Sequence, residues 1–170
     1  MLLFLDLLGT LAFAFTGAFR AVKHELDWLG VLVLATMTGV GGGMVRDLLP
    51  GETPPVALRQ PMYIGICILG AVLTIVAKRR IAPHWDWVMM ADALGLGFFA
   101  AIGAARAAQA GANPMTIVLL AGLTAVGGGV IRDVLVSAIP QVLKSDFYAT
   151  AALIGGAAFW LLTFTDLPQT

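Results

Sequence analysis

The chain has 170 residues, of which 59% are hydrophobic and 12% charged, with zero formal net charge and a mean hydropathy of +0.93. A soluble domain carries about 25% charged residues, so this composition excludes an ordinary soluble enzyme, and the absence of a basic excess excludes a nucleic-acid partner. One cysteine, Cys67, and two loop histidines, His24 and His84, leave no disulfide framework, no cofactor motif and no set of ligands for a resident metal.

In chain order there are six apolar runs. Residues 2–22 form the first, with Asp6 as the one charge within 2–19. Residues 28–49 form the second, uncharged over 28–45, and 61–79 the third, uncharged over 60–77. The fourth, 87–108, is uncharged over 93–105; the fifth, 113–136, over 113–131; and the sixth, 146–164, over 147–165. Runs of roughly 18–20 residues at 1.5 Å per residue span a hydrocarbon core of about 30 Å. The fold class is therefore an all-α integral membrane protein with six transmembrane helices. The first run has no Lys/Arg-bearing leader segment before it, so it is read as a helix and not as a signal peptide.

The chain repeats itself at an offset of 86 residues without a gap. Asp6 meets Asp92, Gly9 meets Gly95, Phe13 meets Phe99, Gly17 meets Gly103 and Arg20 meets Arg106. Further along, Thr38 meets Thr124, Gly41–Gly43 meet Gly127–Gly129, and Arg46–Asp47 meet Arg132–Asp133. Two three-helix units follow, 1–84 and 87–170, together forming one membrane domain. Three crossings is an odd number, so the second unit enters from the opposite side: the halves are inverted repeats. Arg20, Lys23, Lys78, Arg79, Arg80 and Lys144 fall on one side against Arg59 and Arg106 on the other. The positive-inside bias then puts the N-terminus outside a cell (inner) membrane.

Each glycine in a helix interior costs about 1 kcal/mol against alanine, and the chain accepts three in a row twice. Small residues let membrane helices pack closely, but one or two glycines a turn apart suffice for that. Consecutive triplets favour the other reading: the second and fifth helices kink or break at Gly41, Gly42, Gly43 and at Gly127, Gly128, Gly129. Carbonyls freed there would line a wet path, with the hydroxyls of Thr38 and Thr124 beside them. Asp6, Arg46 and Asp47 gather at one mouth of that path with Arg106; Asp92, Arg132 and Asp133 gather at the other with Arg20, so each mouth holds a balanced two Asp and two Arg. Buried ionisable residues in a membrane pair or face water, so these charges are gate residues or staples between helix ends. No GxSxG, HExxH or P-loop lysine is present, and no enzyme is expected.

"VGGGMVRDLL" and "VGGGVIRDVL", with "LDLLGTLAFAFTGA" and "ADALGLGFFAAIGA", resemble the duplicated unit of the prokaryotic trimeric intracellular cation (TRIC) channel family over essentially the whole chain. The resemblance implies a homotrimer in the lipid bilayer. Each protomer would have its own pore for potassium or sodium, lined chiefly by the second and fifth helices. The family usually adds a seventh helix, whereas this sequence ends at "FTDLPQT", which would return the C-terminus outside. Two other function classes fit the same pattern: a small-solute transporter, for example of glycine, and a membrane scaffold whose glycines serve packing alone.

Overall fold

The computed structural model describes residues 2–81, 85–144, 150, 153–155 and 157, with side chains omitted over 78–87. The described residues form helices α1 (Leu2–Lys23), α2 (Trp28–Leu48), α3 (Val56–Arg59), α4 (Pro61–Ile81), α5 (Trp85–Gln109) and α6 (Pro114–Leu135), then a short 3-10 turn at Gln141–Leu143. The first five apolar runs thus coincide with α1, α2, α4, α5 and α6. Most of the sixth run lies outside the described residues, as do His84 and the side chains of Lys78, Arg79 and Arg80. Four helices are long and apolar enough to cross a membrane by the described residues alone, and α4 is apolar over Pro61–Ala77.

Local chemistry sets the boundaries, and it does so in duplicate. Asp27 caps α2 by accepting the Gly30 N–H at 2.7 Å, and Asn113 caps α6 by accepting the Thr116 N–H at 2.9 Å. Each satisfies a backbone donor that the first helical turn leaves free. At the other ends the chain turns through left-handed residues: Glu25 after α1 and Gly111 after α5, then Gly51 after α2 and Ser137 after α6. Both members of each pair make the same closing bonds, Leu26 N–H to Ala21 O and Ala112 N–H to Ala107 O, each at 3.0 Å. Glu52 N–H to Asp47 O at 2.9 Å likewise matches Ala138 N–H to Asp133 O at 2.8 Å. These are Schellman-type stops, one glycine and one strained residue in each pair.

Helices α1, α2, α5 and α6 form the centre, with α4 packed against α1 and α2. Equivalent residues of the two halves meet reciprocally at the centre. Phe13 and Phe99, equivalent positions, face one another with ring centroids 5.2 Å apart. Gly9 lies against the Phe99 ring and Gly95 against the Phe13 ring. The outer surface is apolar: Ile68, Leu69, Val72, Leu73 and Val76 on α4 are exposed, as are Leu119 on α6 and Trp28 at the start of α2. A surface of this kind suits lipid, with the tryptophan at the level of the headgroups.

Of the kink or break expected at the glycine triplets, the break is corrected by the fold. α2 and α6 remain helical through Gly41–Gly43 and Gly127–Gly129, so no carbonyl is freed by unwinding there. The two triplets are where α2 and α6 cross. A Cβ on Gly42 would run into the carbonyl oxygen of Thr124, and one on Gly128 into that of Thr38. The Cα of Gly42 would lie 3.2 Å from a Cβ on Gly127. The glycines permit backbone-to-backbone approach, with each helix supplying the small residues the other needs.

Candidate functional site

Two buried charge clusters lie at opposite ends of this crossing. In the first, Arg46 near the end of α2 reaches Asp6 on α1, with Nη1 at 3.3 and 3.2 Å from its two carboxylate oxygens. Its Nε donates to Asp47 Oδ1 at 2.8 Å. The second carboxylate oxygen of Asp47 accepts the Val56 N–H at 2.9 Å, tying α3 to the cluster. Tyr63 at the start of α4 donates its hydroxyl to Asp6 Oδ2 at 2.8 Å. Arg46 is 2% exposed, so it requires these partners.

The second cluster repeats this plan. Arg132 on α6 pairs with Asp92 on α5, and its Nε donates to Asp133 Oδ1 at 3.0 Å. Asp133 Oδ2 accepts the Gln141 N–H at 2.9 Å. Two contacts differ from the first end. Thr16 accepts from Arg132 Nη1 at 3.1 Å, where the equivalent position in the other half is Ile102. Arg20 approaches Asp133 Oδ1 with its Nη2 at 3.7 Å.

The sequence grouped Asp6, Arg46, Asp47 and Arg106 at one end and Asp92, Arg132, Asp133 and Arg20 at the other. The structure joins Asp6, Arg46 and Asp47, and joins Asp92, Arg132, Asp133 and Arg20, while Arg106 lines the cavity beside Asp47. The sequence did not identify Tyr63 or Thr16 as members. A lone tyrosine in an otherwise apolar run, at the same end as Asp6, was the available signal, because a buried phenolic hydroxyl seeks a partner. Thr38 and Thr124 are fully buried, and each hydroxyl donates to the carbonyl one turn back, Leu34 O and Leu120 O, both at 2.6 Å. They contact Gly17 and Gly103 and so belong to the helix contacts α1–α2 and α5–α6. Among the described residues no group of three or more His, Cys, Asp or Glu side chains can hold a metal.

Open space is distributed unequally. A cavity of about 260 Å³ adjoins the first cluster, lined by Arg46, Asp47, Glu52, Arg106, Leu119 and Leu123 among others. At the second cluster the space between Arg20, Asp92, Arg132 and Gln141 is about 20 Å³. A void of about 10 Å³ lies deeper, against Asp6, Thr10, Gly43 and Phe99. Within each cluster two carboxylates meet one central guanidinium, and a second arginine stands beside each, Arg106 at the first cavity and Arg20 near Asp133.

A duplicated, all-helical membrane protein with a charge cluster at each end is the class this fold defines. A model of the family described as Glycine transporter matches the chain twice, over residues 3–79 and 89–163. The UPF0126 membrane protein of Deinococcus radiodurans is 43% identical over 160 residues, spanning 93% of this chain and 74% of that protein. The UPF0126 inner membrane protein YadS of Escherichia coli K12 is 42% identical over 154 residues, spanning 89% and 74%. Among solved structures, the TRIC trimeric intracellular cation channel orthologue from Rhodobacter sphaeroides superimposes with a TM-score of 0.94 at 38% identity, covering 99% of this chain and 87% of that one. A second TRIC cation channel structure matches with a TM-score of 0.88 at 40% identity, covering 97% and 81%. The chain belongs to this UPF0126/TRIC membrane protein family.

Proposed function

We propose that this protein is a monovalent cation channel, conducting potassium and sodium through one pore in each protomer of a homotrimer. The observation that carries this reading is the pair of buried Asp–Arg–Asp clusters at the two ends of a single helix crossing, the first of them beside a cavity. A cation entering that cavity meets the carboxylates of Asp47 and Glu52 in its lining, where water is displaced and electrostatic interactions are strong. The likeness to TRIC channel structures supports the same conclusion. The path runs past the clusters and through the α2–α6 crossing, with Gly41–Gly43 and Gly127–Gly129 as its constriction and Thr38 and Thr124 beside it. The present structure is then a closed state, because glycine backbone and the Phe13–Phe99 pair fill the centre. With the N-terminus outside, the 260 Å³ cavity opens outward.

A second reading is favoured by the one-sided cavity together with the matching family's description: a small-solute transporter, glycine being the first solute to try. Single-channel recording of the purified protein in planar bilayers under a potassium gradient separates the two. Discrete currents reversing near the potassium equilibrium potential are expected. Silent bilayers with saturable glycine uptake in matched liposomes would overturn the channel in favour of the transporter.

A further inference from the structure

The offset that relates the halves carries Arg20 onto Arg106 and Asp47 onto Asp133, so the pairs Arg20–Asp133 and Arg106–Asp47 are equivalent. They are not in the same state. Arg20 lies 3.7 Å from Asp133 and the space beside it is about 20 Å³. Arg106 and Asp47 both line the 260 Å³ cavity, and among the described residues no ion pair joins them. One end has its Arg–Asp contact made; at the other, Arg106 and Asp47 face a cavity without that contact.

We propose that Arg20 and Arg106 are alternating latches. In the opposite state Arg106 closes onto Asp47 while Arg20 withdraws from Asp133, exchanging the open end for the closed one. The closed latch is built to release. Its nitrogen–oxygen separation of 3.7 Å exceeds hydrogen-bonding distance, and the Arg20 Nε is buried with no hydrogen-bond partner. A buried donor left unsatisfied opposes the contact that buries it. The Arg20 side chain is 21% exposed, against 2% for Arg46 and 8% for Arg132, so it has the easier route to water. Arg46 and Arg132 hold the clusters in both states; Arg20 and Arg106 move. Because the two states exchange the roles of equivalent residues, their contacts are nearly interchangeable and their energies lie close.

This inference rests on the second, small-solute transporter reading, in which one end opens at a time, and its test does not require flux. In the purified full chain, Ala112→Cys reports on the large cavity and Gln141→Cys on the small space, both half-buried; Cys67 is fully buried and serves as a silent background. A water-soluble maleimide should label Ala112→Cys faster than Gln141→Cys. Adding Arg20→Gln should raise labelling at Gln141→Cys by up to about fivefold, the population shift a partly exposed ion pair can impose. It should lower labelling at Ala112→Cys in parallel. Arg106→Gln should act in the reverse direction, and Arg20→Lys should restore the parental pattern. Labelling that rises at both ends with Arg20→Gln, or at neither, overturns the latch. Shifted labelling without ion current leaves the latch standing and refutes the channel; current with unshifted labelling does the converse.

Discussion

The two ends of the molecule are made from the same residues and differ in what surrounds them. At the first, Tyr63 is the extra hydrogen-bond donor to Asp6 and the nearby Arg106 is held off across a cavity. At the second, Thr16 receives a hydrogen bond from Arg132 and Arg20 approaches Asp133. The clusters themselves, Asp–Arg–Asp with a backbone N–H bound to the last carboxylate, are the same. Duplication therefore preserves the arrangement needed to bury charge in a membrane. Departures from it are confined to the neighbours that decide whether an end is open.

The largest expected effect comes from removing a central guanidinium. Arg46→Ala leaves Asp6 and Asp47 buried together without a cation, a change that costs about 3–5 kcal/mol. Arg132→Ala should cost less, because Arg20 remains near Asp133. Thermal unfolding in detergent checks the order, and equal losses would mean that Arg20 does not compensate. Next come the crossing glycines. Gly42→Ala and Gly128→Ala each push a methyl group into a backbone carbonyl, so both should lose about 1–3 kcal/mol. Gly43→Ala, whose added methyl meets only the tip of Arg46 at 3.6 Å, should be tolerated in the same assay. A common gain at Gly42 and Gly43 would show that helix propensity, not contact, governs the triplet.

Tyr63→Phe removes a hydrogen bond to a carboxylate and should cost about 1.5 kcal/mol, with no matching position to test at the other end. The smallest effects are gains. Glu25→Gly and Ser137→Gly relieve left-handed residues at turns where the partner half already has glycine, and each should stabilise by about 1 kcal/mol. A melting temperature that does not rise in either variant would mean that the Glu25 or Ser137 side chain offsets its own strain.

Much of this was legible because the membrane makes simple demands on a sequence. Uncharged runs of helical length gave α1, α2, α4, α5 and α6, and the 86-residue offset paired their residues before any contact was seen. The Arg-Asp pairs were legible as mouth clusters because charge within an apolar run has few places to go. The sequence reading of the glycine triplets as a kink or break missed their role in the crossing, because composition gives the cost of a glycine in a helix but not the identity of its neighbour. The benefit comes from Thr124 and Thr38, more than eighty residues away. Tyr63 and Thr16 escaped for a related reason: neither is repeated, so the offset that flagged the others passed over them. The difference between Arg20 and Arg106 was not legible, since identical residues at equivalent positions differ here through neighbours that the offset does not repeat.

The Phe13–Phe99 contact carries a consequence for ancestry. A residue on a twofold axis touches its own copy, and the glycine crossing is self-complementary in the same way. A single three-helix unit with this surface could bury it by meeting a second molecule inserted upside down, with no other partner required. Joining the two in one polypeptide fixes their stoichiometry and raises their local concentration. It also gives selection a freedom that a symmetric pair lacks: Thr16 and Tyr63 can appear on one side without being imposed on the other.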